Sequence, residues 1–149
     1  MAKTKREATE LFAKMVIRVN LAFRQFMQTK FKAHNIDLTF EMLQVLACLW
    51  QQDGINQQEL ADLTVKDKAS MTYLLDNIAR RGLVYRQEDS VDRRNKLIYL
   101  TEEGKAMKER IQPWVEEMYV LAGKSMTIDV INNAIAHLET IRNNVAAGS

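Results

Sequence analysis

Apolar residues recur at three- and four-residue steps along the first part of the chain: Leu11, Met15, Val19, Ala22, Phe26 and Met27, with Phe12, Val16 and Phe23 widening the stripe. This spacing predicts an amphipathic helix from about Thr4 to His34, ended by Asn35-Ile36-Asp37. The stripe is too long and too apolar for a lone surface helix, so it needs a partner. Met42, Val45, Leu46 and Leu49 form the inner side of a second helix, capped by Thr39 and stopping near Asp53-Gly54. Asn56 with Glu59 three residues on has the spacing of a capping box and opens a short helix carrying Leu60 and Leu63. Asp67 caps a further helix with Met71, Leu74, Leu75 and Ile78 facing inward, ended by Gly82. Leu83–Gln87 and Leu97–Leu100 then read as two strands around a turn over Glu88–Lys96. Thr101 caps a long helix that Pro113 should kink, and Thr127 starts the last one. There Ile131, Ala134, Leu138, Ile141 and Val145 have the spacing of a helix–helix seam.

The order is helix, helix, two short helices joined by a tight turn, hairpin, helix, helix. The expected fold is mainly α (α+β): a winged helix-turn-helix with long N- and C-terminal dimerisation helices. The turn of the helix-turn-helix lacks the glycine often found there. Residues 1–149 read as a single chain, with a winged lobe over 38–101 and dimerisation helices over 1–37 and 102–149. Apolar stripes at both ends lack a central partner, and pairing two chains through them would bury both.

Composition adds limits. The chain has 149 residues, of which 47% are hydrophobic and 27% charged, so it can bury a core and is not disordered. One cysteine, Cys48, forbids an internal disulfide and suits a reducing compartment. Charges near the N-terminus leave no signal-peptide core, and no uncharged run approaches the ~18 residues of a membrane span. A cytoplasmic protein with no membrane partner is expected. The net charge of +2 says little, but its distribution says more. From Lys66 to Lys96 eight basic side chains stand against five acidic ones, an excess that gains meaning from the elements carrying it.

At the hairpin tip, Asp92-x-Arg94, five residues, then Leu100-Thr101 resembles the wing motif of the MarR family, the multiple antibiotic resistance regulators. Leu38-Thr39, Glu59-Leu60-Ala61, Leu74-Leu75-Asp76, Arg81-Gly82-Leu83 and Leu100-Thr101-Glu102-Glu103-Gly104 also stand where that family has similar residues. The likeness spans roughly Leu38 to Met107. It implies a homodimeric, sequence-specific DNA-binding transcriptional regulator, most often a repressor, bound to a pseudo-palindromic operator in double-stranded DNA. The resemblance also implies that Asp92 orients Arg94. An arginine at a hairpin tip can enter a narrow minor groove, and the alternative is a plain surface ion pair. Lys68, Ser70, Thr72, Tyr73 and Asn77 lie on the outer face of the second short helix, which can reach phosphates and base edges or be merely solvated. Gln57, with the amides beginning its helix, is a candidate phosphate holder. Lys66, Arg86, Arg93 and Lys96 are assigned to phosphates, which supply affinity rather than specificity. At Tyr73 and Asn77 relatives carry basic side chains, so the resemblance does not supply the base preference.

The family also implies a cleft for a small aromatic or anionic effector. Phe23, Phe26, Met27, Phe31, Met42 and Trp50 are candidate walls, and Arg18 and Arg24 can meet a carboxylate; the alternative for each wall is core packing. His34 and His137 are the only histidines, and no metal-ligand spacing or cofactor motif is present. Cys48 sits among Val45, Leu46 and Leu49, which favours an inert small hydrophobe over a redox sensor. No nucleophile–base set or phosphate-cradling loop suggests an enzyme. The competing reading is a winged-helix protein-interaction module without DNA binding, kept open by Asp76, Asp89 and Asp92.

Overall fold

The computed structural model describes residues 1–149, and its helices fall where the apolar spacing puts them. Helix α1 spans Lys5–Ala33; Thr4 caps it, accepting from the Glu7 amide while the Glu7 carboxylate accepts from the Thr4 amide. Helix α2 spans Phe40–Gln51, with Thr39 Oγ1 accepting from the Met42 amide. After strand β1 (Ile55–Asn56) come α3 (Gln57–Leu63) and α4 (Lys68–Arg80), then strands β2 (Val84–Glu88) and β3 (Lys96–Leu100). Helices α5 (Glu102–Ala122) and α6 (Ile128–Ala147) complete the chain.

Three helices stop by the same device. The residue past the cap takes a left-handed conformation, and the next amide turns back onto the carbonyl three positions inside the helix. These bonds are Ile36 N to Phe31 O at 2.9 Å, Lys66 N to Ala61 O at 2.9 Å, and Leu83 N to Ile78 O at 3.3 Å. The left-handed residues are Asn35, Val65 and Gly82, at φ of 55°, 54° and 74°. The helix-turn-helix therefore makes the usual turn without the usual glycine. A β-branched residue there is a steric outlier held by the bonds on either side of it.

The sheet has three antiparallel strands in the order β1-β3-β2, where the apolar pattern predicts only the β2–β3 hairpin. Ile55 pairs with Ile98 and Val84 with Leu100. Two residues cannot display an alternating period, and Asn56 serves both as strand and as the cap of α3, so β1 left no pattern to read. The extra strand shields one edge of a hairpin that would be marginal alone.

Val45 and Leu46 of α2, Leu60 of α3, Met71, Leu75 and Ile78 of α4, and Ile98 of β3 are fully buried and form one core. Met27 and Phe31 join it from the end of α1, and Phe31 meets Trp114 edge-on at 6.4 Å between ring centres. Helix α5 begins tight against the sheet. Thr101 Oγ1 donates to Gly82 O at 2.6 Å and accepts from the Gly104 amide at 3.0 Å. Pro113 lies inside α5, which continues through it.

By contact, residues 1–114 form one compact unit and 115–149 another. In the first, α1 has an exposed apolar stripe toward its N-terminus, with Leu11, Met15 and Val19 each more than two-fifths exposed. In the second, α6 has no buried residue at all, and Leu138 and Val145 are 42% and 70% exposed. No helix is long and apolar enough to cross a membrane.

Candidate nucleic-acid interface

Helix α4 is amphipathic, and what its inner stripe leaves outside is a face bearing Lys68, Ala69, Thr72, Tyr73 and Asp76. Asp67 fixes its start. One carboxylate oxygen accepts from the Ser70 amide at 2.7 Å and the other from the Ser70 hydroxyl at 3.0 Å. The bond from the Ser70 amide, helped by its hydroxyl, holds the Asp67 carboxyl below the usual carboxylate range.

The angle between α3, α4 and the sheet is set by one side chain. Arg86, on β2, pairs with Asp76 of α4 at 2.7 Å, donates to Gln57 Oε1 of α3 at 3.3 Å, and donates to the Thr72 carbonyl at 3.3 Å. Gln57 in turn donates through Nε2 to Thr72 Oγ1 at 3.0 Å. Sequence assigns Arg86 to phosphate by its charge and Gln57 by its place at a helix start; both are engaged in joining three elements. The amides of Gln58 and Glu59, offered by sequence to a phosphate, are taken by Asn56 Oδ1 at 2.7 and 3.3 Å. Sequence also passed over Arg81, which donates to the Asp37 and Asn77 carbonyls and pairs with the Asp37 carboxylate at 3.1 Å. Arg81 enters the sequence reading only as part of the Arg81-Gly82-Leu83 likeness and the basic count, because a latch across 44 positions has no local signature.

The wing is a turn built by two aspartates. Asp89 accepts from the Val91 amide at 2.9 Å and from Asn95 Nδ2 at 3.0 Å, and these bonds lower its pKa. Asp92 Oδ1 accepts from the Arg94 amide at 3.0 Å and from Arg94 Nε at 3.4 Å. That contact matches the orienting role the resemblance implies. The Arg94 side chain is 93% exposed, so apart from its Nε contact to Asp92 the guanidinium stands in solvent at the tip. Arg93 is also exposed, while Lys96 pairs across the strands with Glu88 at 2.9 Å.

Wing and helix meet in one concavity of about 340 Å³. Arg94, Asn95 and Lys96 line it from the wing, Lys68 and Met71 from α4, and Asn56, Gln57, Gln58 and Ala61 from the elements before. Asn95 was not singled out by sequence, although its place beside Arg94 was the available signal. A second concavity, about 480 Å³, lies on the other flank of α4, where Lys66, Ser70, Tyr73 and Asn77 meet Thr39, Glu41, Met42 and Arg81. The predicted binding residues thus divide into a face, two flanks and a brace.

The expected effector walls are less united. Met27, Phe31 and Met42 are buried in the core, and Met42 alone of the eight lines either concavity. Trp50 donates from Nε1 to the Gly104 carbonyl at 3.0 Å. Phe26 carries Lys30 over its ring at 5.4 Å, and Phe23 is half-buried. Arg24 pairs with Glu41 and lies over the Phe40 ring at 5.4 Å; Arg18 donates to the Met15 sulfur at 3.8 Å. Burial pushes Glu41 up, but the Arg24 bond and charge outweigh it and the net shift is downward. Cys48 is half-buried, and burial raises its thiol pKa. No group of three or more His, Cys, Asp or Glu side chains is placed to hold a metal.

Residues 38–96 match the family model described as "MarR family". Over 92 residues the chain is 34% identical to the transcriptional regulator HosA of Escherichia coli, covering 57% of this chain and 67% of HosA. Over 115 residues it is 28% identical to the HTH-type transcriptional regulator TtmR of Methylorubrum extorquens; this covers 77% of the chain but only 57% of TtmR. These relatives are named as regulators, not enzymes. Among solved structures, the Staphylococcus aureus MepR–DNA complex aligns with a TM-score of 0.80 at 24% identity, over 89% of this chain and 97% of that one. A mutant Escherichia coli MarR in complex with operator DNA aligns at 0.79 and 21% identity, over 93% and 99%. Such identities speak for the fold: a winged helix of this type. With the winged region matched by the family model and a third of positions shared with HosA over two thirds of its length, the chain belongs to the MarR family.

Proposed function

We propose that the chain is a homodimeric, sequence-specific regulator of transcription that binds a pseudo-palindromic operator in double-stranded DNA, acts in the cytoplasm as a repressor, and is released by a small ligand. The observation that carries the reading is the junction of wing and helix. A free Arg94, oriented by Asp92, stands beside a capped helix whose outer face is exposed, with Lys68 on the wall between them. A helix of that kind fits a major groove and an arginine at a hairpin tip fits the adjoining minor groove. MepR and MarR, which share the fold, were each solved with DNA. The acidic residues that favour a protein-interaction module are engaged locally: Asp76 by Arg86, Asp89 by Val91 and Asn95, Asp92 by Arg94. They neutralise and shape the face, which supports the DNA reading over that alternative.

Dimerisation rests on the apolar residues left uncovered on α1 and α6, where Leu11, Met15, Val19, Leu138 and Val145 face solvent in the single chain. A twofold pair presents two recognition helices to half-sites about one helical turn apart. A ligand releases DNA only by preferring the dimer geometry that misplaces those helices. Selection from a random duplex pool tests the reading: a pseudo-palindrome is expected, retained by a species sedimenting as a dimer and released by an aromatic carboxylate such as benzoate. A folded monomer at micromolar concentration, or a pool that yields no enriched duplex, refutes it.

A further inference from the structure

On the outer face of α4, the short polar side chains that could read bases by hydrogen bonding, Ser70, Thr72 and Asn77, are already engaged. Thr72 Oγ1 donates to the Lys68 carbonyl at 3.0 Å and accepts from Gln57 Nε2 at 3.0 Å. Ser70 gives its hydroxyl to Asp67, and the Asn77 amide donates to the Tyr73 carbonyl at 2.9 Å. The carboxylate on the face, Asp76, is paired with Arg86. Beside them on this face stand Ala69, Thr72 with its hydroxyl taken, and Tyr73, 72% exposed, with its ring and hydroxyl both available. These lie together on one concavity of about 530 Å³ with Lys68 and Asp76 at its margins.

In the major groove one base edge offers an apolar group: thymine, through its C5 methyl. We propose that this chain selects its half-site chiefly through thymine C5-methyl contacts made by Ala69, Thr72 and Tyr73, with hydrogen bonds to bases secondary on this helix. The inference rests on the DNA-binding reading and specifies how the bases are read. Arg86 and Gln57 then act as positioning residues. Gln57 holds the Thr72 hydroxyl through Nε2, and Arg86 holds both Gln57 Oε1 and the Thr72 carbonyl, so together they fix the side chain that presents the methyl.

The experiment uses the full-length protein and the duplex enriched from the random pool. Each thymine of one half-site is replaced in turn by deoxyuridine, which removes only the methyl group. Each purine is replaced by its 7-deaza analogue, which removes only the major-groove N7 acceptor. At least two deoxyuridine positions are expected to weaken binding about three- to tenfold each, the scale of losing a buried methyl contact, with 7-deaza purines near neutral. Thr72→Ser keeps the hydroxyl and both its bonds but removes the methyl. It should weaken binding to the parent duplex and abolish the penalty of one deoxyuridine. Tyr73→Phe should bind as wild type if the ring is the reader. Deoxyuridine duplexes bound as tightly as the parent, or 7-deaza purines costing tenfold, would overturn the inference while leaving DNA binding intact. A tenfold loss with Tyr73→Phe would replace the ring contact by a hydroxyl one and overturn it at that residue. A pool yielding no duplex would overturn the DNA reading and this inference with it.

Discussion

Gly104→Ala is the most diagnostic single change in the scaffold under the wing, because two ordinary rules give it opposite signs. Gly104 is in the first turn of α5, and replacing a helical glycine by alanine stabilises an exposed helix by up to ~1 kcal/mol. Here, however, a Cβ at residue 104 would lie 2.1 Å from the Leu83 carbonyl oxygen and 3.1 Å from its carbon. An unstrained carbon–oxygen contact is roughly 3.3 Å, so helix and strand would have to part by about 1 Å. The same place is fastened by three bonds: Thr101 N to Leu83 O at 3.0 Å, Thr101 Oγ1 to Gly82 O at 2.6 Å, and Trp50 Nε1 to Gly104 O at 3.0 Å. Losing one or two of them costs about 1 kcal/mol each, and overpacking adds ~1–3 kcal/mol. Set against the propensity gain, the net is a destabilisation of ~1–4 kcal/mol.

Urea unfolding at one fixed protein concentration measures it, since a dimer's apparent stability depends on concentration. With a slope of about 2 kcal/mol per molar, the midpoint should fall by ~0.5–2 M. Gly123→Ala is the internal control: there the nearest atom to a new Cβ is 3.6 Å away, and little change is expected. A Gly104→Ala midpoint equal to or above wild type would refute the close approach of α5 to Leu83 and the reasoning built on it.

Three further outcomes are expected. The Asp67 and Asp89 carboxyls have depressed folded-state pKa values, so the stability they give is complete above the usual aspartate range and is lost as pH falls through those lower values. Carboxyl-resolved NMR titration should find both below ordinary aspartate, and Asp67→Asn should remove the corresponding acid-limb dependence. Cys48, its thiol raised by burial, should react with iodoacetamide or peroxide more slowly than free cysteine at neutral pH, and a faster rate would reopen redox control. Arg86→Lys cannot reproduce the three-way contact and should weaken DNA binding without changing the salt slope, because Arg86 braces rather than neutralises phosphate; a slope lower by ~1 would return it to the phosphate set.

How much of this was legible depended on range. Helix limits, caps at Thr39, Asn56, Asp67 and Thr101, and the glycine stop at Gly82 all lie within a few residues of what they stabilise, so spacing reveals them. The wing turn was legible for the same reason: Asp92 and Arg94 are two residues apart. Strand β1 was too short for any period, and Val65 takes a left-handed conformation that its side chain argues against. Sequence assigns Arg86 to phosphate and misses its brace, because charge shows in a sequence while partners do not. Its contacts at Gln57 and Thr72 lie 29 and 14 positions away. The effector walls were chosen by residue type alone, and aromatic and methionine side chains are as common in cores as in ligand clefts.

The brace also limits how the protein can be switched. Changing the angle between wing and recognition helix within one lobe means breaking the Arg86 contacts to Asp76, Gln57 and Thr72 together with the Gln57–Thr72 bond. Four bonds at ~1 kcal/mol each exceed the coupling free energy that ligands usually supply, about 1–3 kcal/mol. In the proposed dimer, moving one lobe against its twofold mate breaks none of them. Regulation should therefore act through the separation of lobes, each lobe moving as a rigid body. Spin labels at Asp62→Cys and Ser90→Cys in a Cys48→Ser background, diluted with unlabelled protein, report the distance from α3 to the wing inside a lobe. Labels at Asp62→Cys alone report the distance between protomers. On adding the selected duplex, the first distance should stay within about 1 Å while the second changes. An intralobe distance that shifts on binding, with the interprotomer one constant, would mean that the brace yields and that control lies within the winged lobe itself.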